Sequence, residues 1–161
     1  MKAKKIVLNY NMEFNYTIIG FSTSLKSFRF IHFLNQSLNV GFRKFPDMSS
    51  YNLKGEELST DFYYYYDDTK KNQWFTFSHK SHQDEYLIPK YKNLDFFLFI
   101  DDIVEKHYLD KLLKNLRTIK SLQFVNMIDP KTINGINLIY SDIELHVVDF
   151  FREKNESKHL W

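Results

Sequence analysis

The run Phe96 to Ile100 (FFLFI), approached through Leu94 and Asp95, restricts the fold more than any other stretch of this chain. It is the longest apolar run present, and it falls far short of the roughly 20 residues of a membrane span. With no polar alternation it reads as a central strand buried on both faces of a sheet. A strand of that kind needs partners, and periodicity marks them along the rest of the chain.

Lys4 to Tyr10 reads as a first strand, and residues 12–23, with the β-branched run Thr17-Ile18-Ile19, lean to a second. From Ser24 to Leu38 the period changes: Leu25, Phe28, Ile31, Leu34 and Leu38 mark a helix, with Ser22 or Ser24 as N-cap and Gly41 as its stop. Phe42 to Phe45 is a short strand, and residues 47–58 are loop by composition. Asp61 to Tyr66 and Trp74 to Phe77 form a β-hairpin around the polar turn 67–72. After the apolar strand, Asp102 and Glu105 have capping-box spacing for a helix reaching about Ile119. Leu122 to Ile128 alternates as a last strand, and Asn134-Gly135 is a turn. Beyond Tyr140, Ser141 and Glu144 open a short docked helix that frays from Glu153.

These elements give an α+β fold: a mainly antiparallel sheet with the two main helices packed on one face, plus a short C-terminal helix. The chain of 161 residues divides as one domain over 1–140 and an extension over 141–161. Zero Cys excludes a disulfide framework, thiol catalysis and thiolate metal sites together. A net charge of +2 gives no electrostatic case for nucleic acid without a local patch. The basic start Met1-Lys2-Ala3-Lys4-Lys5 leads into Ile6-Val7-Leu8, which breaks at Asn9, too short for a signal peptide. A cytoplasmic protein without membrane contact is expected. Lys in excess of Arg, the lone alanine Ala3 and abundant Asn, Ile, Phe and Tyr point to an AT-rich coding sequence.

Chemistry-bearing clusters are few. Asp101, Asp102 and Glu105 are read as first-turn acids favoured by a helix N-terminus. His79 and His82 with Asp84 and Glu85 form the one grouping with metal-ligand chemistry; an i, i+3 pair lacking a third remote ligand reads as solvated loop. His32 sits within the first helix, with no nucleophile motif beside it. Walker, GxGxxG, GxSxG and HExxH patterns do not occur. No catalytic residue, metal or cofactor is therefore expected. The tyrosine run offers a binding surface instead. Alternation puts Tyr63 and Tyr65 on one face of the hairpin and Tyr64 and Tyr66 on the other. If helices cover one face only, Tyr64, Tyr66 and Trp74 with Lys70 and Lys71 could meet a protein partner, or stack on single-stranded RNA.

The segment Leu87-Ile88-Pro89-Lys90-Tyr91-Lys92-Asn93-Leu94-Asp95-Phe96 resembles the signature of the IPExxxVDY family, a bacterial family with no assigned activity. Ile88, Pro89 and Asp95 match; Lys90, Leu94 and Phe96 stand where that family has Glu, Val and Tyr. Ile19-Gly20-Phe21 and Phe28-Arg29-Phe30 through Leu34-Asn35 resemble its earlier segments, so the likeness spans about residues 4–140. Lys90 removes any acid chemistry that a glutamate would supply there, and Phe96 removes a phenol. Asp95, among apolar neighbours, needs a partner, and Arg29 is the expected one. Together these residues suggest a non-catalytic interaction or regulatory module, binding a protein partner or a second copy of itself. An RNA-associated protein and an enzyme without a local motif are the alternatives.

Overall fold

A computed structural model describes residues 14–52 and 54–159. The strand expected over Lys4 to Tyr10 lies outside them. Among the described residues six strands form one antiparallel sheet: β1 (Thr17–Thr23), β2 (Arg43–Tyr51), β3 (Glu57–Asp67), β4 (Asn72–Ser78), β5 (Phe96–Ile100) and β6 (Leu122–Ile128). Their spatial order is β2-β3-β4-β5-β1-β6. Three helices complete the fold: α1 (Ser27–Leu38), α2 (Lys106–Leu116) and α3 (Ile136–His159). The α+β class and the antiparallel sheet are as expected, and no described helix is long and apolar enough to cross a membrane.

β5 is the central strand the apolar run requires, buried at every residue and paired with β4 on one side and β1 on the other. Its side chains alternate between two separate cores. Phe96, Leu98 and Ile100 join Ile19, Phe21, Tyr63 and Trp74 beneath α1 and α2. Phe97 and Phe99 join Ile18, Phe62, Phe75 and Phe77 on the opposite face, beneath α3. A sheet with two apolar faces needs two covers, and α3 is the second. It is 24 residues long, not short; it starts after Gly135 (φ 73) and continues past Glu153. Ser141 lies inside it, as does the boundary drawn after Tyr140, for Ile136, Ile139, Ile143 and Val147 all pack in the same core.

Other elements differ from their expected limits for local reasons. β2 runs to Tyr51, through residues read as loop, with a register shift between Phe45 and Met48. It is an edge strand, where Pro46 and outward polar side chains are tolerated, while Phe45, Met48 and Ser50 point inward and are buried. α1 starts two residues later than Ser24 allows: Lys26 is the N-cap and no side chain caps it. Glu105, not Asp102, caps α2, its carboxylate accepting the His107 and Tyr108 N–H groups. Asp102 instead accepts from the Asn72 side chain at 3.2 Å.

Candidate functional site

The residues expected to form a stacking surface are not brought together. Trp74 is 1% exposed beneath α1 and α2, and its Nε1–H donates to Asn72 Oδ1 at 2.9 Å. Tyr64 is buried on the other face beneath α3, donates to Gln73 Oε1 at 2.8 Å, and burial pushes its pKa up to about 12. Tyr66 alone of the three is open, at 42%. The Lys70 ammonium lies 4.2 Å from the centre of the Tyr108 ring, and Lys71 occupies a turn position with φ 57. A platform needs rings side by side and free; here the sheet lies between them.

The residues of the family likeness do converge, as scaffold. His79 is fully buried and clasps both ends of the Ile88–Leu94 loop. Its Nε2 accepts the Ile88 N–H at 3.0 Å, so Nδ1 carries the proton and donates to the Leu94 carbonyl at 2.8 Å. Burial lowers its pKa, although these two bonds oppose the shift. Both ring nitrogens are thus engaged, which removes His79 from any metal set with His82, Asp84 and Glu85. Between the clasped ends, Pro89 opens a single 3-10 turn over Pro89–Tyr91. Leu94 then packs against Gly20, where a Cβ would stand 2.6 Å from Leu94 Cδ1 and 3.1 Å from Ile128 Cγ1, so a larger residue there forces Leu94 to shift. Asn35 donates to and accepts from the Phe42 backbone, at 3.2 and 2.8 Å, and so ties α1 to the start of β2.

Asp95 finds its partner in the backbone rather than in Arg29. Its Oδ2 accepts the Thr23 N–H at 2.8 Å, its own N–H donates to Phe21, and its carbonyl accepts from His79. Arg29 stays exposed beside the buried Phe30 and lies 6.0 Å from the Phe33 ring centre. The geometry is that of a β-bridge continued by a carboxylate, which needs no cation.

A cleft of about 640 Å³ opens at the start of α1, where Ser27, Asp61, Lys80 and Asp95 meet an apolar lining that includes Phe28 and Phe96. Asp61 is its best-connected group. Ser27 Oγ donates to Asp61 Oδ2 at 2.6 Å, His82 Nε2 lies 3.2 Å from both Asp61 and Asp47, and Lys44 Nζ lies 2.9 Å from Asp47 and 3.5 Å from Asp61. Burial alone would raise the Asp61 pKa; the Ser27 hydroxyl, Lys44 and His82 outweigh it and hold the carboxyl below its usual range. The order serine–aspartate–histidine is wrong for nucleophile activation, which needs the imidazole against the hydroxyl. Asp47, Asp61 and His82 are the described residues that could hold a metal ion, and Lys44 already supplies their countercharge.

A second polar network fastens α3 to the sheet. Tyr140 donates to Asp101 Oδ1, Gln73 donates to Asp101 Oδ2 at 3.3 Å, and Tyr64 donates to Gln73. Tyr16 stacks on Tyr140 with centroids 4.1 Å apart. Burial and then the Asp101 carboxylate raise the Glu144 pKa. Beside it on the same helix Ser50 donates to Asp142 at 2.8 Å, and further along Phe150 stacks on Phe45.

A further surface feature lies on α3. α3 is apolar on its outer side as well as its inner one: Leu138, Leu145 and Val148 are 71%, 59% and 57% exposed. With Ser141 and Arg152 they follow a three-and-four spacing along one line of the helix, opposite Ile139, Ile143 and Val147. The signal was present in the sequence as apolar residues on all sides of 136–151, a pattern expected of a helix covered on both sides. In comparisons with known proteins, no family model, curated protein or solved structure matches this chain.

Proposed function

We propose that this protein is a non-catalytic interaction module that docks a protein partner on the outer face of α3. One observation carries the reading: Leu138, Leu145 and Val148 form an exposed apolar stripe on a helix whose opposite side is fully used in the core. Single exposed apolar residues are ordinary; three aligned at heptad spacing are the pattern of a helix–helix seam. The reactive side chains support the same reading, because His79 and Asp61 are each held in local hydrogen bonds. The likeness to the IPExxxVDY family fits it too, since Gly20, Asn35, Ile88, Pro89 and Asp95 serve to place the sheet and its connections. A photo-crosslinking amino acid at Leu145, with a second protein carrying it at the exposed Lys111 as control, tests the proposal in cells of the source organism. A discrete adduct of higher mass from position 145 alone is expected. Irradiation that yields no adduct there, or the same adduct at 111, overturns it.

A further inference from the structure

We infer that the occupant of the α3 stripe is an amphipathic helix of another protein carrying basic residues along the borders of its apolar face. The inference rests on the interaction-module reading and adds the chemistry of the partner. Its ground is the charge beside the stripe. Glu144 borders one side, with Asp101 close behind it. Asp149 and Glu153 border the other, with Asp142, whose carboxylate accepts the Ser50 hydroxyl, behind them toward β2. Arg152, at the end of the stripe, is already held by Asp149. The chain has a net charge of +2, so this acidic frame is a local concentration and not a property of the whole surface.

The frame also argues against a second copy. In heptad terms Leu138 and Leu145 occupy position a, Ser141 and Val148 position d, Asp142 and Asp149 position e, and Glu144 position g. Antiparallel self-pairing about Leu145 sets Asp142 of one copy beside Asp149 of the other. Parallel self-pairing sets Glu144 beside Asp149. Either way acid meets acid where coiled coils place opposite charges. A helix with Lys or Arg at those flanks meets the acids in both orientations. The stripe from Leu138 to Arg152 is about 21 Å long, so a partner segment of about 18 residues covers it.

Two fluorescein-labelled peptides of that length, with leucine at a and d and either lysine or glutamate at e and g, test this by anisotropy against the whole protein. The lysine peptide should bind more tightly by roughly tenfold or more, and its affinity should fall as salt rises. Leu145→Asp should abolish binding, and Glu144→Lys with Asp149→Lys should reverse the preference between peptides. Glu144 and Leu145 are exposed and Asp149 is half-buried, and circular dichroism checks that each variant is folded. Equal binding of the two peptides overturns the inference. So does a dimer in sedimentation that Leu145→Asp dissolves, or binding to phosphatidylcholine–phosphatidylglycerol vesicles that the same variant loses. An adduct at position 145 with any of those results leaves the interaction module standing and removes only the basic helix; no adduct removes both.

Discussion

His79 holds two backbone groups that have no other partner among the described residues, so its replacement gives the most informative test of the fold. In His79→Leu the Ile88 N–H and the Leu94 carbonyl lose their bonds at a fully buried position. A buried polar group left unsatisfied costs about 1–3 kcal/mol, so the pair costs about 2–6 kcal/mol. That is a large part of the 5–15 kcal/mol typical of a domain. The milder His79→Gln keeps an amide donor and acceptor and serves for the pH experiment. The folded pKa of His79 lies below its ordinary 6.5, because burial disfavours the imidazolium. As pH falls, the unfolded chain therefore takes up the proton first. The contribution of neutral His79 is complete above about pH 6.5 and is lost as pH falls toward the folded value, at up to about 1.4 kcal/mol per pH unit. Urea unfolding at pH 7.5 and at pH 5 should show the wild type losing more stability than His79→Gln, since the carboxylates are common to both and cancel. Identical pH dependence in the two proteins, or a cost for His79→Leu below about 1 kcal/mol, would refute the clasp.

Gly20→Ala should cost about 1–3 kcal/mol through overpacking against Leu94. In a Leu94→Ala background, where the 2.6 Å collision is gone, it should cost clearly less, as a double-mutant cycle of urea midpoints would show. Asp95→Ala strips the Thr23 N–H of its acceptor and should lose about 1–3 kcal/mol, whereas Arg29→Ala should stay within about 0.5 kcal/mol of wild type; equal losses would revive an ion pair between them. On α3, Ile143→Ala should cost about 2–5 kcal/mol and Leu145→Ala about 0.5 kcal/mol or less, two residues apart on opposite sides of one helix. Thermal unfolding of the two variants distinguishes them directly.

Much of the secondary structure was legible because it depends on local pattern. Leu122 to Ile128 was found to the residue, and so was the alternation of the four tyrosines. Edge strand β2 was missed beyond Phe45 because Pro46, Asp47 and Ser49 resemble a loop in composition, and the sheet edge tolerates them. Helix caps were misplaced by two or three residues, since Ser24 and Asp102 have the right chemistry but Lys26 and Glu105 have the right backbone. The tyrosine surface failed for a different reason. Which face of a hairpin is open depends on what arrives from elsewhere in the chain. The apolar run Phe96 to Ile100 requires two covers, whereas local pattern alone marks two helices for one face and leaves the second cover unplaced. His79 had no local mark at all: its partners are residues 88 and 94, and the bonds exist only once that loop closes.

The strand order has a consequence for how the chain is made. β1 is the first of the described strands to be synthesised, yet its neighbours β5 and β6 come from near residue 100 and residue 125. α3, which covers Phe62, Phe75 and Phe77, is the last of the described elements to be synthesised. At about 5–20 residues per second, the β3–β4 hairpin waits roughly 4–16 seconds for that cover. During this interval one aromatic face is wet and an unpaired strand β1 is free to meet other chains. Slowing translation over residues 79–135 should therefore lower the protein's soluble yield, and added chaperone that shields apolar surface should restore it.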